Sequence, residues 1–591
     1  MLKAVEMQKV RVTGPKLFLR EVIQALHTAK LMHLISYEKK DQDYFNIGSP
    51  FSEATDYSNA VIETRSLIDF FKIKGTGKTI NIENAAGKIH TLHKEFQNTL
   101  KIQKEIKDTI KELEGKNTNQ FFETEINQKI ITQYKNLDIF LGTIQKPLDK
   151  KQIEKSTAKF ELIEKTIDKK NWIALFADKK SKENIQTLLR EHGFSEVKYV
   201  HIDFKQIEKE LNTAKKQLEE TEHTLKQIEN EKQWLLDIEY TLSQEIEKAE
   251  VPLHFATSKN SFIIHGWIPA KQLTEFKKKL NTKTMEKIYF EEFKDTENAP
   301  VQLNNPKAIS PFEFFLNLYT LPKYYELDPS ALMAFTFPFF FGFMLGDVGY
   351  GVIALILFQI VKRKFKDLQV QAIANILTLA SIASIIFGFV FGEVFGEEFI
   401  EHPLLNRVHD INTMLLVTIA VGIIHLNLGF ILGFYNKLKH HGFKHALLEK
   451  GSWIIIEIGI ATALLANQTV GAIIAVIGLI MLYKGEGFRG MIELPALLSN
   501  ILSYARLFAI GLASVQLALI VNMLAGQALG LGIIGYVLAA FVILIGHGLN
   551  LFLGLLGPFI QSLRLHYVEW FSKFFEGGGE PYKPFGIKEK A

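Results

Sequence analysis

Two arginines stand where arginine is costly. Arg506 lies within Leu497-Leu-Ser-Asn-Ile-Leu-Ser-Tyr-Ala-Arg506-Leu-Phe-Ala-Ile-Gly-Leu-Ala513, with no other charge from Leu494 to Gly535, and Arg564 lies in Gln561-Ser-Leu-Arg564-Leu-His566. A guanidinium keeps its proton at any ordinary pH, so lodging it among apolar side chains costs at least about 2.5–3.5 kcal/mol on insertion scales. A carboxylate partner would offset that cost. Counted inward from polar ends near Met491 and Phe575, the two lie about 15 and about 11 residues deep, or about 22 and about 16 Å, which puts them at similar depth on antiparallel neighbours. Glu493 and Glu569 lie nearer the ends, so a partner on another chain is expected. A residue 506 satisfied by an acid of its own chain would sink the functional reading built on that expectation, though not the topology. The plainer alternative is that Arg506 snorkels, or pairs with Glu457 or Glu393 as structural glue. Neutral polar groups recur along the same stretches: Ser503, Gln516, Asn522, His547, Asn550 and Gln561, with His425 and Asn427 upstream. Each alone can simply bond a neighbour; together they can line water-filled paths. Asp347, between Gly346 and Gly349, suits a turn.

Other chemistry is excluded or unsupported. The chain has no cysteine, which rules out disulfides, thiolate zinc sites and cysteine nucleophiles. A net charge of +4 over 591 residues gives no case for nucleic acid. Gly75-Thr-Gly-Lys-Thr79 imitates a phosphate loop, but Lys72 stands where the first glycine is required, and no apolar strand precedes it. No nucleotide or metal site is expected.

The elements that must position these groups fall into two solvents. Residues 1–310 are rich in Lys and Glu, whereas 331–576 hold long uncharged runs. MLKAVEMQKVRV has no apolar core of signal-peptide length, so the polar half is expected in the cytoplasm. In that half, three segments read as strand, helix, strand: Val10–Val12, Leu17–Ala29 and Leu31–Ile35; Trp172–Phe176, Lys182–Glu191 and Val197–Ile202; Phe262–Trp267, Ala270–Leu280 and Lys287–Phe290. The first and third are expected to share a sheet. Between them, apolar residues recur in alternating threes and fours over 85–115 and 204–248, a heptad pattern. The expected fold is an α+β domain followed by an all-α membrane domain. A proximal lobe (1–80 and 255–300) and a distal lobe (170–203) are joined by an antiparallel coiled-coil rod, whose second arm would run about 65 Å. A plain solvated helical bundle is the alternative to the rod.

Apolar stretches near 331–361, 370–396, 411–436, 448–466, 469–483, 491–525 and 533–576 read naively as seven spans. With a cytoplasmic N-terminal half, seven crossings put the basic loops at 362–364, 437–445 and 484–489 outside and the acidic loop 397–410 inside, inverting the positive-inside rule. An eighth crossing, made by a turn at Gly346-Asp-Val-Gly-Tyr-Gly351, corrects every loop. It also places the tail 577–591 in the cytoplasm, with 311–330 as an interfacial connector and the last two stretches long enough to tilt or bend.

Four ordered motifs carry a family resemblance over essentially the whole chain: Phe341-Gly-Phe-Met-Leu-Gly-Asp347-Val-Gly-Tyr-Gly351, Gly422-Ile-Ile-His425-Leu-Asn-Leu-Gly429, Ser499-Asn-Ile-Leu-Ser-Tyr-Ala-Arg506-Leu, and Ser562-Leu-Arg564-Leu-His-Tyr-Val-Glu569. Gly266-Trp-Ile-Pro-Ala270 and the closing Gly577-Gly-Gly579, Pro581-Tyr582, Pro584-Phe585 add to them. The chain resembles subunit a, also called subunit I, of V-type and archaeal A-type rotary ATPases. Ser514 and Gly554, where eukaryotic members often carry histidine and glutamate, favour the prokaryotic branch. The resemblance implies a non-catalytic stator in a bacterial or archaeal cell membrane, translocating H⁺ or Na⁺ and binding no cofactor. Arg506 would face a carboxylate of the proteolipid rotor ring (subunit c or K) with Arg564 assisting. Half-channel candidates are the polar groups above with Glu457, Glu493 and Glu569. Implied partners are the ring, peripheral-stalk subunits of the E and G type, a central-stalk cap of the d or C type and the bilayer. Two other classes compete: an ion-coupled secondary transporter with a cytoplasmic regulatory domain, and a membrane-anchored scaffold. The first predicts paired broken-helix repeats, which 331–450 and 451–576 do not display.

Overall fold

The computed structural model describes residues 3–39, 44–82, 84–117, 136–167, 170–196 and 204–586. The chain forms two compact units, Ser49–Pro252 and the discontinuous pair Met1–Gly48 with Leu253–Ala591.

In the discontinuous unit, Met7–Pro15 is an inner strand of an antiparallel sheet. Its alternate residues Val10 and Val12 are fully buried, the period-2 signature of a strand covered on one face. It pairs with Tyr289–Phe293 on one side and, in register from Met7↔Pro269 to Pro15↔Ser261, with Ser261–Pro269 on the other. His33–Ile35 and Ala256–Thr257 follow along the far edge of Ser261–Pro269, and Asn46–Ile47 lies outside them. The helices Leu19–Ala29 and Leu273–Lys283 pack together through buried Val22, Leu26, Phe276 and Leu280. Two strand–helix–strand segments more than 200 residues apart thus interleave in one split β-α-β sheet.

The rest of this unit is helical. Ser330–Leu345 ends at Gly346, and Val348–Lys364 begins after Asp347, whose carboxylate accepts from Tyr350 N at 2.9 Å and from Gly396 N at 2.9 Å. Among the described residues, four helical runs are long and apolar enough to cross a membrane: Leu368–Phe391, Ile411–Leu465, Gln468–Leu529 and Ile533–Lys573. The second and third are interrupted at Gly442 (φ +82°) and Gly487 (φ +66°), where a left-handed backbone breaks the helix at little cost only for glycine. The last two apolar stretches are not single straight helices. Gln468–Leu502 and Ala505–Leu529 are separate helices that break at Ser503–Tyr504, and Ile533–Arg564 passes into a π-helical turn over Leu565–Trp570.

In the 49–252 unit, Ala85–Asn117 and Phe204–Asn230 run antiparallel, held at their two ends by Lys88–Glu231 (3.5 Å) and Lys215–Glu114 (3.6 Å). The second arm is not continuous, because it breaks at Glu231 and restarts as Lys232–Glu250. An unforeseen helix, Ala54–Phe70, packs on that restart, and Val61, Leu67, Ile89, Phe96, Leu235 and Leu242 make one buried core. Residues 49–80 therefore group with the arms rather than with the proximal lobe. The second sheet also begins earlier than position 170: its order is Phe160–Ile167, Lys170–Asp178, Leu137–Ile144, Ser195–Glu196. The expected strand at 197–202 lies outside the described residues. The Gly75–Thr79 loop lies along Lys232–Glu250, with Lys78 N donating to Asp237 at 2.7 Å and Ile80 N to Thr241 Oγ1 at 3.1 Å.

Candidate functional site

The charged centre forms where Ile533–Arg564 passes into the π-helical turn Leu565–Trp570, which carries Glu569. Arg506 Nη2 donates to Glu569 Oε1 at 2.5 Å, and Arg564 Nε lies 4.0 Å from the same oxygen. This corrects the expectation that Arg506 lacks a partner in its own chain. Depth counted along straight helices set Glu569 apart from Arg506, yet the two side chains meet across their helices, so axial depth alone does not decide which groups pair. Nor does Arg506 pair with Glu393 or Glu457: Glu393 is held by Arg407, and Glu457 accepts from Asn427 Nδ2.

The carboxylate and the two cations differ in burial. Glu569 is 2% exposed, whereas Arg506 keeps 25% and Arg564 52% of its side chain accessible. Arg506 Nε and Glu569 Oε2 have no hydrogen-bond partner. Two guanidiniums sharing one carboxylate leave a net charge of +1. Arg506 projects beside an accessible stripe one helical turn apart: Ala509, Ala513, Gln516 and Ile520.

Behind the arginine, the Ile411–Ala446 helix supplies His425. Its Nδ1 lies 2.6 Å from Tyr504 Oη, its ring stacks on Trp570 (4.7 Å, 21°), and its Nε2 is buried without a partner. His566 completes this cluster, donating from Nδ1 to Ser562 O (2.7 Å), with Nε2 2.7 Å from Thr336 Oγ1. Gly422 lets Tyr504 sit against the helix, since an added Cβ would stand 2.7 Å from the tyrosine ring.

A second polar chain starts at exposed Glu397. Asn522 Nδ2 donates to Glu397 Oε1 and to Phe395 O, both at 3.0 Å, and Asn522 Oδ1 accepts from His547 Nε2 at 2.9 Å. The Tyr350 hydroxyl stands 2.5 Å from His547 Nδ1 and accepts from Asn550 Nδ2 at 2.9 Å; Asn550 in turn meets Ser514 Oγ (3.3 Å) and Ser514 O (2.9 Å). The sequence-identified Asn522, His547 and Asn550 thus come together, joined through Tyr350 and Ser514. Ser514 lies eight residues beyond Arg506 on one helix, about 12 Å along its axis.

The remaining candidates stand apart from these two groups. Asn427 and Glu457 bond each other, with Glu457 Oε1 left unpartnered. Glu493 pairs with Arg489 at 3.0 Å on the surface, beside a 370 Å³ charged cavity that also takes in Lys450, Glu486 and Lys573. Ser503 bonds Ser499 O at 2.9 Å, Gln516 is exposed, and Gln561 Oε1 is buried without a partner.

Sequence reasoning missed Arg407. It is fully buried, paired with Glu393, and donates to Met344 O (3.1 Å) and Gly346 O (2.8 Å), so it caps the Ser330–Leu345 helix and secures the Asp347 turn. The available signal was its being the one arginine or lysine in the acidic loop 397–410. Tyr504 and Tyr350 sat inside quoted motifs without being assigned a role.

A profile of the V-type ATPase 116kDa subunit family matches residues 69–400 and 495–587. The chain is 33% identical to the A-type ATP synthase subunit I of Archaeoglobus fulgidus and 25% identical to that of Halobacterium salinarum, each over 99% of both chains. A crystal structure of the cytoplasmic N-terminal domain of subunit I, a homolog of V-ATPase subunit a, matches 48% of this chain and all of its own length at 14% identity and a TM-score of 0.25. With the profile spanning most of the sequence and a relative one-third identical end to end, the chain belongs to the V-type ATPase 116kDa subunit family.

Proposed function

We propose that this chain is the membrane stator of an A/V-type rotary ATP synthase or ATPase, and that Arg506 faces the carboxylate of a proteolipid rotor ring. The observation that carries this is the uncompensated +1 of the Arg506–Glu569–Arg564 centre, partly accessible on an apolar helix face. A guanidinium offers five N–H donors, so holding Glu569 does not exhaust Arg506. Glu569 is a resting partner that orients Arg506 and is shared with Arg564; the surplus charge is left for the rotor.

When a rotor carboxylate comes within about 4 Å, an effective dielectric of about 20 gives about 4 kcal/mol in favour of its ionised form. The ion is released there into one half-channel, and the site reloads from the other after rotation. The fixed positive charge also blocks cations from passing directly between the two. The Glu397–Asn522–His547–Tyr350–Asn550 chain supports one half-channel, reached from the exposed acidic loop. The charged cavity beside Glu493, with Glu457 and Asn427 deeper in, supports the other. Each charge moved across 100 mV carries about 2.3 kcal/mol, which rotation couples to ATP chemistry on other subunits. Eight crossings, with the N-terminal half and the tail in the cytoplasm, satisfy the positive-inside rule, and the antiparallel arms of the 49–252 unit suit a rod docking peripheral-stalk subunits against torque. A central-stalk cap of the d or C type would complete the assembly.

The test is ATP-driven ion uptake by the reconstituted complex. Arg506→Ala is expected to abolish uptake and Arg564→Ala to weaken it less. Normal coupled uptake by Arg506→Ala would falsify the assignment.

A further inference from the structure

The closing Gly577–Phe585 segment holds none of the candidate site residues, yet it is bound along its whole length. Glu326, 4% exposed, takes the chain as it leaves the helical end, accepting from Lys323 N (2.7 Å), Glu576 N (2.6 Å) and Gly577 N (3.2 Å). Gly578 N then donates to Thr320 Oγ1 (2.9 Å) and Gly579 N to Leu321 O (3.0 Å). Pro581 forms a parallel bridge with Val301, with Val301 N donating to Glu580 O (2.7 Å) and Tyr582 N to Val301 O (3.0 Å). Beyond it the segment reaches the proximal sheet: Tyr582 Oη donates to Leu31 O, Lys583 N to His33 Nδ1 (3.0 Å) and Phe585 N to Met32 O (2.9 Å), and the buried Phe585 ring packs edge-on to His27 at 5.3 Å. The glycines permit this path. Gly577 and Gly578 adopt φ of +70° and +85°, and a Cβ on Gly579 would overlap the Pro322 carbonyl.

We propose that residues 576–586 are a fixed strap that ties the helical end carrying Glu569 to the N-terminal α/β sheet, with Glu326 as its positioning residue at the anchored end. The strap begins seven residues after Glu569, so load borne by the sheet reaches the charged centre without passing through the 311–330 connector alone. The hydrogen bonds are spread along the segment from Glu326 to Met32, so both of its ends are anchored. This inference rests on the stator reading only for its transport consequence; the tie itself is tested separately.

The experiment uses the assembled complex in proteoliposomes, reading ion uptake and ATP hydrolysis together. Because this chain has no native cysteine, a Val301→Cys/Pro581→Cys pair reports on the bridge without background from the subunit itself. Oxidation is expected to close that disulfide, seen as a gel-mobility shift, and to leave the uptake-to-hydrolysis ratio unchanged. Failure to cross-link, or arrest of turnover on cross-linking, overturns a fixed strap. Gly579→Val is expected to lower the ratio several-fold while hydrolysis persists, and closing the cysteine pair in that background is expected to restore it. An unchanged ratio in assembled Gly579→Val overturns the role. Where Gly579→Val does not assemble, Glu326→Gln, which keeps shape and removes one charge-assisted acceptor, is read for the same fall in ratio. Normal uptake by Arg506→Ala alongside a closed disulfide would remove the stator reading and leave the tie standing.

Discussion

Arg407 and Arg506 show two ways of keeping an arginine away from water. Arg407 directs four of its five N–H groups to Glu393 and two main-chain carbonyls and lies over the Phe391 ring at 4.6 Å, a fully buried and closed arrangement. Arg506 shares its carboxylate with Arg564 and leaves 25% of its side chain accessible. The first arrangement is closed and the second is open, as the proposed stator role requires. Breaking a buried pair by removing one member strands the other charge, so Arg407→Met is expected to destabilise the protein by about 3–5 kcal/mol, whereas Arg407→Met with Glu393→Leu is expected to recover most of that. Thermal unfolding of the detergent-solubilised subunit checks this; equal losses in the single and double variants would show that Glu393 is not the group left stranded.

At the scale of elements, interruptions matter more than helices. The Asp347 turn, the Ser503–Tyr504 break and the π turn at 565–570 each lie among the candidate polar side chains, and the closing segment is a run of turns pinned by its neighbours. One pin is titratable. Burial lowers the pKa of His33 from its ordinary value of 6.5, a shift that the Glu580 carboxylate at 3.5 Å opposes. His33 accepts the Lys583 amide through Nδ1, which requires that nitrogen unprotonated. The undocked histidine therefore takes up a proton first as pH falls below about 6.5, and docking weakens through that range and holds above it. Limited proteolysis of the closing segment is expected to be faster at about pH 5.5 than at about pH 7.5, and His33→Gln to flatten the difference.

For the whole molecule, the division into two units has a physical basis in how the 49–252 unit leaves the chain. Phe51 N donates to Ala249 O at 2.9 Å, so its ends meet, and its core of Val61, Leu67, Ile89, Phe96, Leu235 and Leu242 is internal. A unit closed at its own ends is expected to fold by itself. The excised 49–252 segment should be helical by circular dichroism and unfold in one cooperative transition; a broad, non-cooperative melt would show that it depends on the rest of the chain.

What the sequence by itself determined was written in local pattern. The polar and apolar halves, the apolar runs, the Gly346–Gly349 turn residues and the isolation of Arg506 in an uncharged stretch all follow from side-chain periodicity and transfer cost, which act over a few residues. What only the tertiary structure decided came from breaks in that pattern. The Glu231 interruption, the Ala54–Phe70 helix, the strands at 137–144 and 160–167, and above all the meeting of Glu569 with Arg506, depend on contacts across tens to hundreds of positions. Counting residues along ideal helices cannot register which side chains of two different helices meet, and that meeting makes two apparently unpaired arginines a shared, still cationic centre.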